Sequence, residues 1–137
     1  MFPIMKHVDS LRRARRSIRE LILAYRIARV RVRRETDRIH LLEYERALER
    51  LVVELARQTG PLEDDPHASA KWLAVGTARG DDAVLDAMEA LELRMSDALG
   101  SIRSHDSVEV RALVERSLCA SEVRRSWLHS RRQDRAA

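Results

Sequence analysis

The sequence predicts an all-α protein, an antiparallel up-down four-helix bundle with a short extra helix before the third long helix. The 137-residue chain contains only three prolines and four glycines, and 4% of its residues are aromatic. Long segments between these breakers repeat apolar residues every three or four positions, which is the periodicity of an amphipathic helix. A chain of this length can bury its own core, so we predict one domain over residues 1–137 with disordered ends at 1–9 and 133–137.

Three segments interrupt the helical pattern: the Gly-Pro pair and acidic loop at 60–66, the Gly-Asp-Asp stretch at 80–82, and the polar residues 104–107. Long helices are therefore predicted over residues 10–33, 36–58, 81–103 and 107–132, with a short helix over residues 68–78. The first boundary is the weakest, because no strong breaker lies between Arg31 and Thr36. The first two helices are either one rod or two helices separated by a short turn, with Thr36 and Asp37 as the cap.

Each predicted helix has an apolar stripe when its residues are placed 100° apart. The first stripe comprises Leu11, Ala14, Ile18, Leu21, Ile22, Tyr25, Ala28 and Val32, and the second comprises Leu41, Tyr44, Leu48, Leu51, Val52 and Leu55. The third comprises Leu85, Met88, Met95, Leu99 and Ile102, and the fourth Val110, Leu113, Val114 and Leu128. Polar residues interrupt only the last two stripes, where they predict a buried polar cluster.

That cluster is centred on Glu92, which lies in the middle of the third stripe. If the third and fourth helices pair about a turn at 104–106, residue 92 lies level with Ser117, within about one helical turn. We therefore predict that Glu92 is buried and bonded to Ser117, Ser121 or a neighbouring arginine, with Tyr25 from the first helix. Glu92→Gln is expected to be tolerated, whereas Glu92→Ala is expected to cost about 1 to 3 kcal/mol through unsatisfied partners.

Charge is distributed very unevenly along the chain. Residues 1–34 carry eleven basic and two acidic side chains, residues 35–110 carry eight and seventeen, and residues 111–137 carry seven and three. In an antiparallel bundle the acidic second and third helices lie beside the basic first and fourth helices, so most of the imbalance is expected to be neutralised within the fold. The alternative is an outer basic face that binds phosphates of nucleic acids without sequence specificity, formed by Arg12, Arg13, Arg15, Arg16 and Arg19.

The stretch GDDAVLDAMEALELRMSDAL, followed by VEVRALVERSL, resembles the second half of an uncharacterised bacterial family of ferritin-like four-helix-bundle proteins. In that family a helical pair ends in a glycine, and an acidic loop and a tryptophan-bearing short helix lead to a Gly-Asp-Asp helix start. The matching positions here are Gly60, residues 63–65, Trp72 and residues 80–82. The resemblance covers residues 60–120 and implies a ferritin-like bundle, but it implies no agreed activity.

A ferritin-like metal site requires inward carboxylates from four helices, with Glu-x-x-His on two of them. The sequence departs from this pattern, because its first helix offers only Glu20, away from the stripe, and Glu122 is followed three residues later by Arg125. The remaining candidate ligands are Glu92, Glu89 and His40. We predict no cofactor and keep a degenerate iron or manganese site as an alternative.

Other chemistry finds little support in the pattern. Cys119 is the only cysteine, so it allows no disulfide within the chain, and a lone helical cysteine is usually a packing residue. The longest wholly apolar run, at residues 21–25, is far shorter than the roughly 20 residues of a membrane span. We predict a cytoplasmic, non-enzymatic bundle that acts by self-association or by binding a partner protein, with Trp72 and Trp127 as core or interface anchors. Nucleic-acid binding and degenerate metal binding stay as alternatives.

Overall fold

A computed structural model describes residues 3–60 and 73–136, with side chains over 8–60 and 73–131. Its helices are α1 (Pro3–Arg31), α2 (Glu35–Thr59), α3 (Leu73–Thr77), α4 (Asp81–Gly100) and α5 (Val108–Ala136). No strand occurs in the described ranges, so the all-α prediction is confirmed there. The predicted third and fourth long helices are α4 and α5. The predicted acidic loop, Trp72 and the first part of the predicted short helix lie outside the described residues.

Helices α1 and α2 are separate, which settles the alternative that the sequence left open. The peptide N–H of Arg33 lies 3.4 Å from both carboxylate oxygens of Asp81 at the start of α4. This backbone donor of the turn therefore has its hydrogen-bond partner in another helix. Arg34 is the N-cap of α2, in extended conformation and without a side-chain cap bond. The expected cap at Thr36 and Asp37 is therefore wrong, and Asp37 is instead buried at 1% exposure.

The outer helix ends also differ from the prediction. Helix α1 begins at Pro3 and α5 continues to Ala136, so helix extends through much of the two ends that we expected to be disordered. Helix α4 ends at Gly100, before the predicted position, and a turn follows it. At the start of α5 the hydroxyl of Ser107 accepts the Val110 N–H at 3.3 Å, which caps the helix.

The four long helices form a ring in the order α1, α2, α5, α4. Helix α1 contacts α2 and α4, and α5 contacts the same two helices from the other side, while α3 packs against α1 and α4. Among the described residues the backbones of the diagonal pairs α1/α5 and α2/α4 do not approach each other as closely as those of neighbouring helices. Each basic helix therefore lies between two acidic ones, as the charge distribution predicted.

Helix directions follow from contacts at the two ends of α1. Arg15 donates from Nη1 to the carbonyl oxygen of Gly60 at 3.4 Å, so α2 ends beside the N-terminal half of α1. The contact between Arg33 and Asp81 places the start of α4 beside the other end of α1. The chain from Gly60 to Gly80 thus joins opposite ends of the bundle. Neighbouring helices are antiparallel, but their order along the chain is up-down-down-up, so simple up-down alternation is wrong.

The core follows the predicted stripes closely. The buried apolar residues that the stripes did not include are Ala24, Val75, Val84, Leu91 and Ala98. Ile22, Tyr44, Leu51 and Val52 are only partly buried and pack against the core from its edge. Within the described ranges, every helix is too short or too polar to cross a membrane.

Ion pairs between helices show how the basic segment is used. Glu45 on α2 is buried at 5% exposure and lies 3.4 Å from Arg26 and 3.2 Å from Arg29, both on α1. Asp37 on α2 accepts a hydrogen bond from Nε of Arg131 on α5 at 2.9 Å. These contacts confirm that arginines of the basic helices form ion pairs with carboxylates of the acidic helices.

Candidate functional site

Glu92 on α4 forms the centre of a buried polar cluster that joins three helices. Its side chain is 0% exposed, and Tyr25 on α1 donates its hydroxyl to Oε1 at 2.5 Å. Arg124 on α5 donates from Nε to Oε1 and from Nη2 to Oε2, the latter at 3.2 Å. Ser121 donates to Oε2 at 2.7 Å and accepts from Ser96 at 2.8 Å. Each carboxylate oxygen therefore accepts two hydrogen bonds.

Ser117 lies outside this cluster, although the sequence placed it level with Glu92. It is buried, but its hydroxyl donates to the carbonyl oxygen of Leu113 in the preceding turn at 2.7 Å. Arg103 in the connecting turn pairs with Glu115 at 3.0 Å, so residue 103 lies level with residue 115. Helix α5 is therefore offset along α4 relative to the predicted pairing. This offset moves the partners of Glu92 one to two turns further along α5, to Ser121 and Arg124.

The charges of the cluster are mutually compensating. Burial raises the pKa of Tyr25 well above its ordinary value, and the charge of Glu92 raises it further. Burial lowers the pKa of Arg124, but the charge and hydrogen bonds of Glu92 outweigh that effect, so the pKa is raised overall. Tyr25 therefore stays a hydrogen-bond donor and Arg124 stays a cation, which gives Glu92 the partners that a buried carboxylate requires.

An aromatic cluster continues from Tyr25 towards the seam between α2 and α5. The ring of Tyr25 lies edge-on to Tyr44 at 5.9 Å, and Tyr44 lies edge-on to Trp127 at 5.6 Å. His40 stacks on Trp127 at 4.7 Å with an interplanar angle of 18°. Together with the bond between Arg131 and Asp37, this packing closes one half of the α2/α5 seam. Trp127 thus anchors the core edge, as predicted.

The three candidate metal ligands do not converge. Glu89 lies 3.5 Å from Nδ1 of His129, and Nδ1 of His40 lies 2.9 Å from the carbonyl oxygen of Thr36. Both oxygens of Glu92 bond to the cluster described above. Glu20, which the sequence placed off the stripe, is buried at 9% exposure. Among the described side chains no group of three or more His, Cys, Asp or Glu residues has the arrangement to hold a metal ion.

The predicted basic face of α1 is divided by the fold. Arg12, Arg13 and Arg19 are exposed, whereas Arg15 is buried at 6% exposure, so its assignment to an outer face is wrong. Arg15 lies inward because it is four residues after Leu11 and three before Ile18, at the edge of the apolar stripe, where it reaches Gly60 at the end of α2. Arg13 and Arg16 line a crevice with Arg94 of α4, and two carboxylates share the same walls, Glu20 and Asp97.

The open half of the α2/α5 seam is a groove of about 450 Å³. Its α2 wall consists of Ala47, Leu48, Arg50, Leu51 and Glu54, and its α5 wall of Leu113, Arg116, Ser117, Ala120 and Arg124. This groove was not predicted from the sequence. Its signal was the two small side chains Ser117 and Ala120 on the wall that α5 turns toward α2, because small residues leave a seam between helices unfilled.

Charge in the groove is unevenly compensated. Arg124 at its base is neutralised by Glu92, and Glu54 bonds to Arg57 at 3.0 Å. Arg50 and Arg116 have no ion pair among the described side chains. The groove therefore combines an apolar base with a positively charged rim.

Comparison with known proteins identifies no similar protein. A scan of family models, a search of curated proteins and a search of solved structures each found no match. The ferritin-like resemblance of residues 60–120 therefore stays a prediction, and any function has to follow from the described side chains.

Proposed function

We propose that this chain is a non-enzymatic, cytoplasmic helical bundle that binds another protein, and that the α2/α5 groove is its binding surface. The observation that carries the proposal is the open half of the seam, where Leu48, Leu51 and Leu113 form an apolar base between two ordered helices. Protein interfaces commonly use such a concave apolar surface with a polar rim.

The buried cluster supports a structural role for the centre of the bundle. Glu92 is enclosed and its two oxygens accept four hydrogen bonds, so it has no free acceptor capacity for a substrate. Its partners come from α1, α4 and α5, and the cluster therefore holds these helices in one register. Helix α2, which contributes no hydrogen bond to Glu92, borders the groove.

We also propose that the bundle is ferritin-like. The support is its up-down-down-up order with one connection between opposite ends, which is the topology that separates ferritin-like bundles from simple up-down bundles. A degenerate iron or manganese site stays an alternative to the prediction that the bundle binds no metal. It would require Arg124 to leave Glu92, because the guanidinium bonds to both carboxylate oxygens.

Filling the groove is expected to weaken partner binding. A photo-crosslinking residue at Ala120 identifies the partner, and isothermal titration with the purified partner then measures the effect of Ala120→Trp. Because Ala120 lines the groove and is exposed, an indole there blocks entry without burial in the core. We expect the affinity to fall at least about tenfold, a loss of about 1.4 kcal/mol of binding free energy.

The matched control is Ala90→Trp. Ala90 is an exposed alanine on α4, a helix that does not contact α2 in the described structure. This variant is expected to bind the partner as the unmodified chain does. Equal loss in both variants, or no loss in either, would count against the groove as the binding surface.

Non-specific nucleic-acid binding is the second candidate, and the exposure of Arg12, Arg13 and Arg19 favours it. If these arginines bind phosphates, affinity for duplex DNA falls steeply with salt, and changing all three to glutamine reduces the slope of log affinity against log salt by about 2 to 3. Electrophoretic mobility at several salt concentrations measures this slope. No binding at low salt rejects this candidate.

A further inference from the structure

The shape, lining and charge of the α2/α5 groove indicate what kind of protein segment binds there. Resting on the proposed function, we infer that the groove binds an amphipathic helix of another protein, with acidic residues flanking the apolar stripe of that helix. Three features support this inference: the shape of the groove, the side chains that line it, and the charge of its rim.

Shape and lining favour a helix over an extended segment. The described structure has no sheet edge to pair with a β-strand, and the groove lining contains no aromatic residue of the kind that grips a polyproline segment. An extended chain here would leave its backbone donors and acceptors against apolar side chains. A helix satisfies its own backbone, and the wall from Leu113 to Arg124 extends about 16 Å, or about three helical turns.

Charge specifies the flanks of the bound helix. Arg50 lies on the α2 wall and Arg116 on the α5 wall, so a bound helix has an arginine on each side. Arg46 adds positive charge on the outer surface of α2 beside the exposed Val53, where the carboxylate of Glu54 is paired with Arg57. Glutamate or aspartate on both flanks of the apolar stripe would pair with these cations and leave the apolar base to the leucines.

The same charge disfavours a second copy of this chain as the occupant. In a two-fold symmetric dimer formed through the groove, the same surface of both subunits lies at the interface, so the rim with Arg50 and Arg116 would face the equally charged rim of the other subunit. Like charges at such an interface oppose association. The experiment must therefore distinguish self-association through this groove from binding of a helix of another protein.

Fluorescence anisotropy with synthetic helical peptides of about 14 residues tests the inference. The first peptide has a leucine stripe flanked by glutamates, the second has lysines in place of the glutamates, and the third has the composition of the first with the stripe scrambled. We expect the first peptide to bind at least about tenfold tighter than either of the others at low salt. The combined substitutions Arg50→Glu and Arg116→Glu are expected to reverse the preference, so that the lysine peptide binds best.

The matched control combines Arg34→Glu with Arg79→Glu, two exposed arginines outside the groove, and is expected to keep the original preference. Equal binding of all three peptides, or no binding of any, overturns the acidic-helix inference. A dimer in sedimentation equilibrium that the Arg50 and Arg116 substitutions dissociate also overturns it, in favour of a second copy. If the partner crosslinked at Ala120 still binds and Ala120→Trp still blocks it, the proposed function survives either result.

Discussion

Replacing Arg124 with methionine is expected to lower the free energy of unfolding by about 3 to 5 kcal/mol, as removal of one partner from a buried ion pair does. Arg124 is 4% exposed and supplies two of the four hydrogen bonds to Glu92, which is fully buried. The variant leaves this carboxylate with only Tyr25 and Ser121 and with no cation. Urea unfolding followed by circular dichroism measures the loss.

The control is the double substitution Glu92→Leu with Arg124→Met. Because it removes both charges and fills the space with apolar atoms, it is expected to recover most of the stability lost in Arg124→Met. Glu92→Gln alone is also expected to be destabilising, since its neutral amide leaves the guanidinium of Arg124 uncompensated. This revises the tolerance that the sequence suggested. A double variant no more stable than Arg124→Met would mean that the pair is not the source of the effect.

Alkaline pH is expected to destabilise the chain through Tyr25. Its pKa is raised in the folded state by burial and by Glu92, so above about pH 10 the unfolded chain releases this proton while the folded chain keeps it. The stabilising contribution is complete below the ordinary tyrosine pKa and is lost as pH rises. The free energy of unfolding should therefore fall by up to about 1.4 kcal/mol per pH unit from this residue.

Tyr25→Phe isolates that contribution. At neutral pH it is expected to cost about 1 kcal/mol through the lost hydrogen bond to Glu92, and above pH 10 its stability should fall less steeply than that of the unmodified chain. Tyr44→Phe is the comparison, since Tyr44 is only partly buried and its pKa is raised less strongly, chiefly by burial. If the unmodified chain and Tyr25→Phe lose stability equally steeply above pH 10, ionisation of Tyr25 is not the cause of the fall in the free energy of unfolding at alkaline pH.

The sequence by itself determined the helices, their inward faces and the special position of Glu92. Helical periodicity is a local property, so apolar residues at three- and four-residue spacing identify the buried stripe whatever the neighbouring helix is. A carboxylate within such a stripe requires partners, and the structure places Tyr25 and Ser121 beside it as expected. The charge imbalance along the chain likewise indicated that acidic and basic helices would be neighbours.

The tertiary structure alone decided how these helices are placed against one another. Periodicity does not encode the offset of one helix along its neighbour, so Ser117 was expected where Ser121 and Arg124 lie. It also does not encode the direction in which α4 runs relative to α2, because the connection from Gly60 to Gly80 is long enough for either choice. The inward position of Arg15 and the groove between α2 and α5 depend on contacts between residues distant in sequence, which no local pattern specifies.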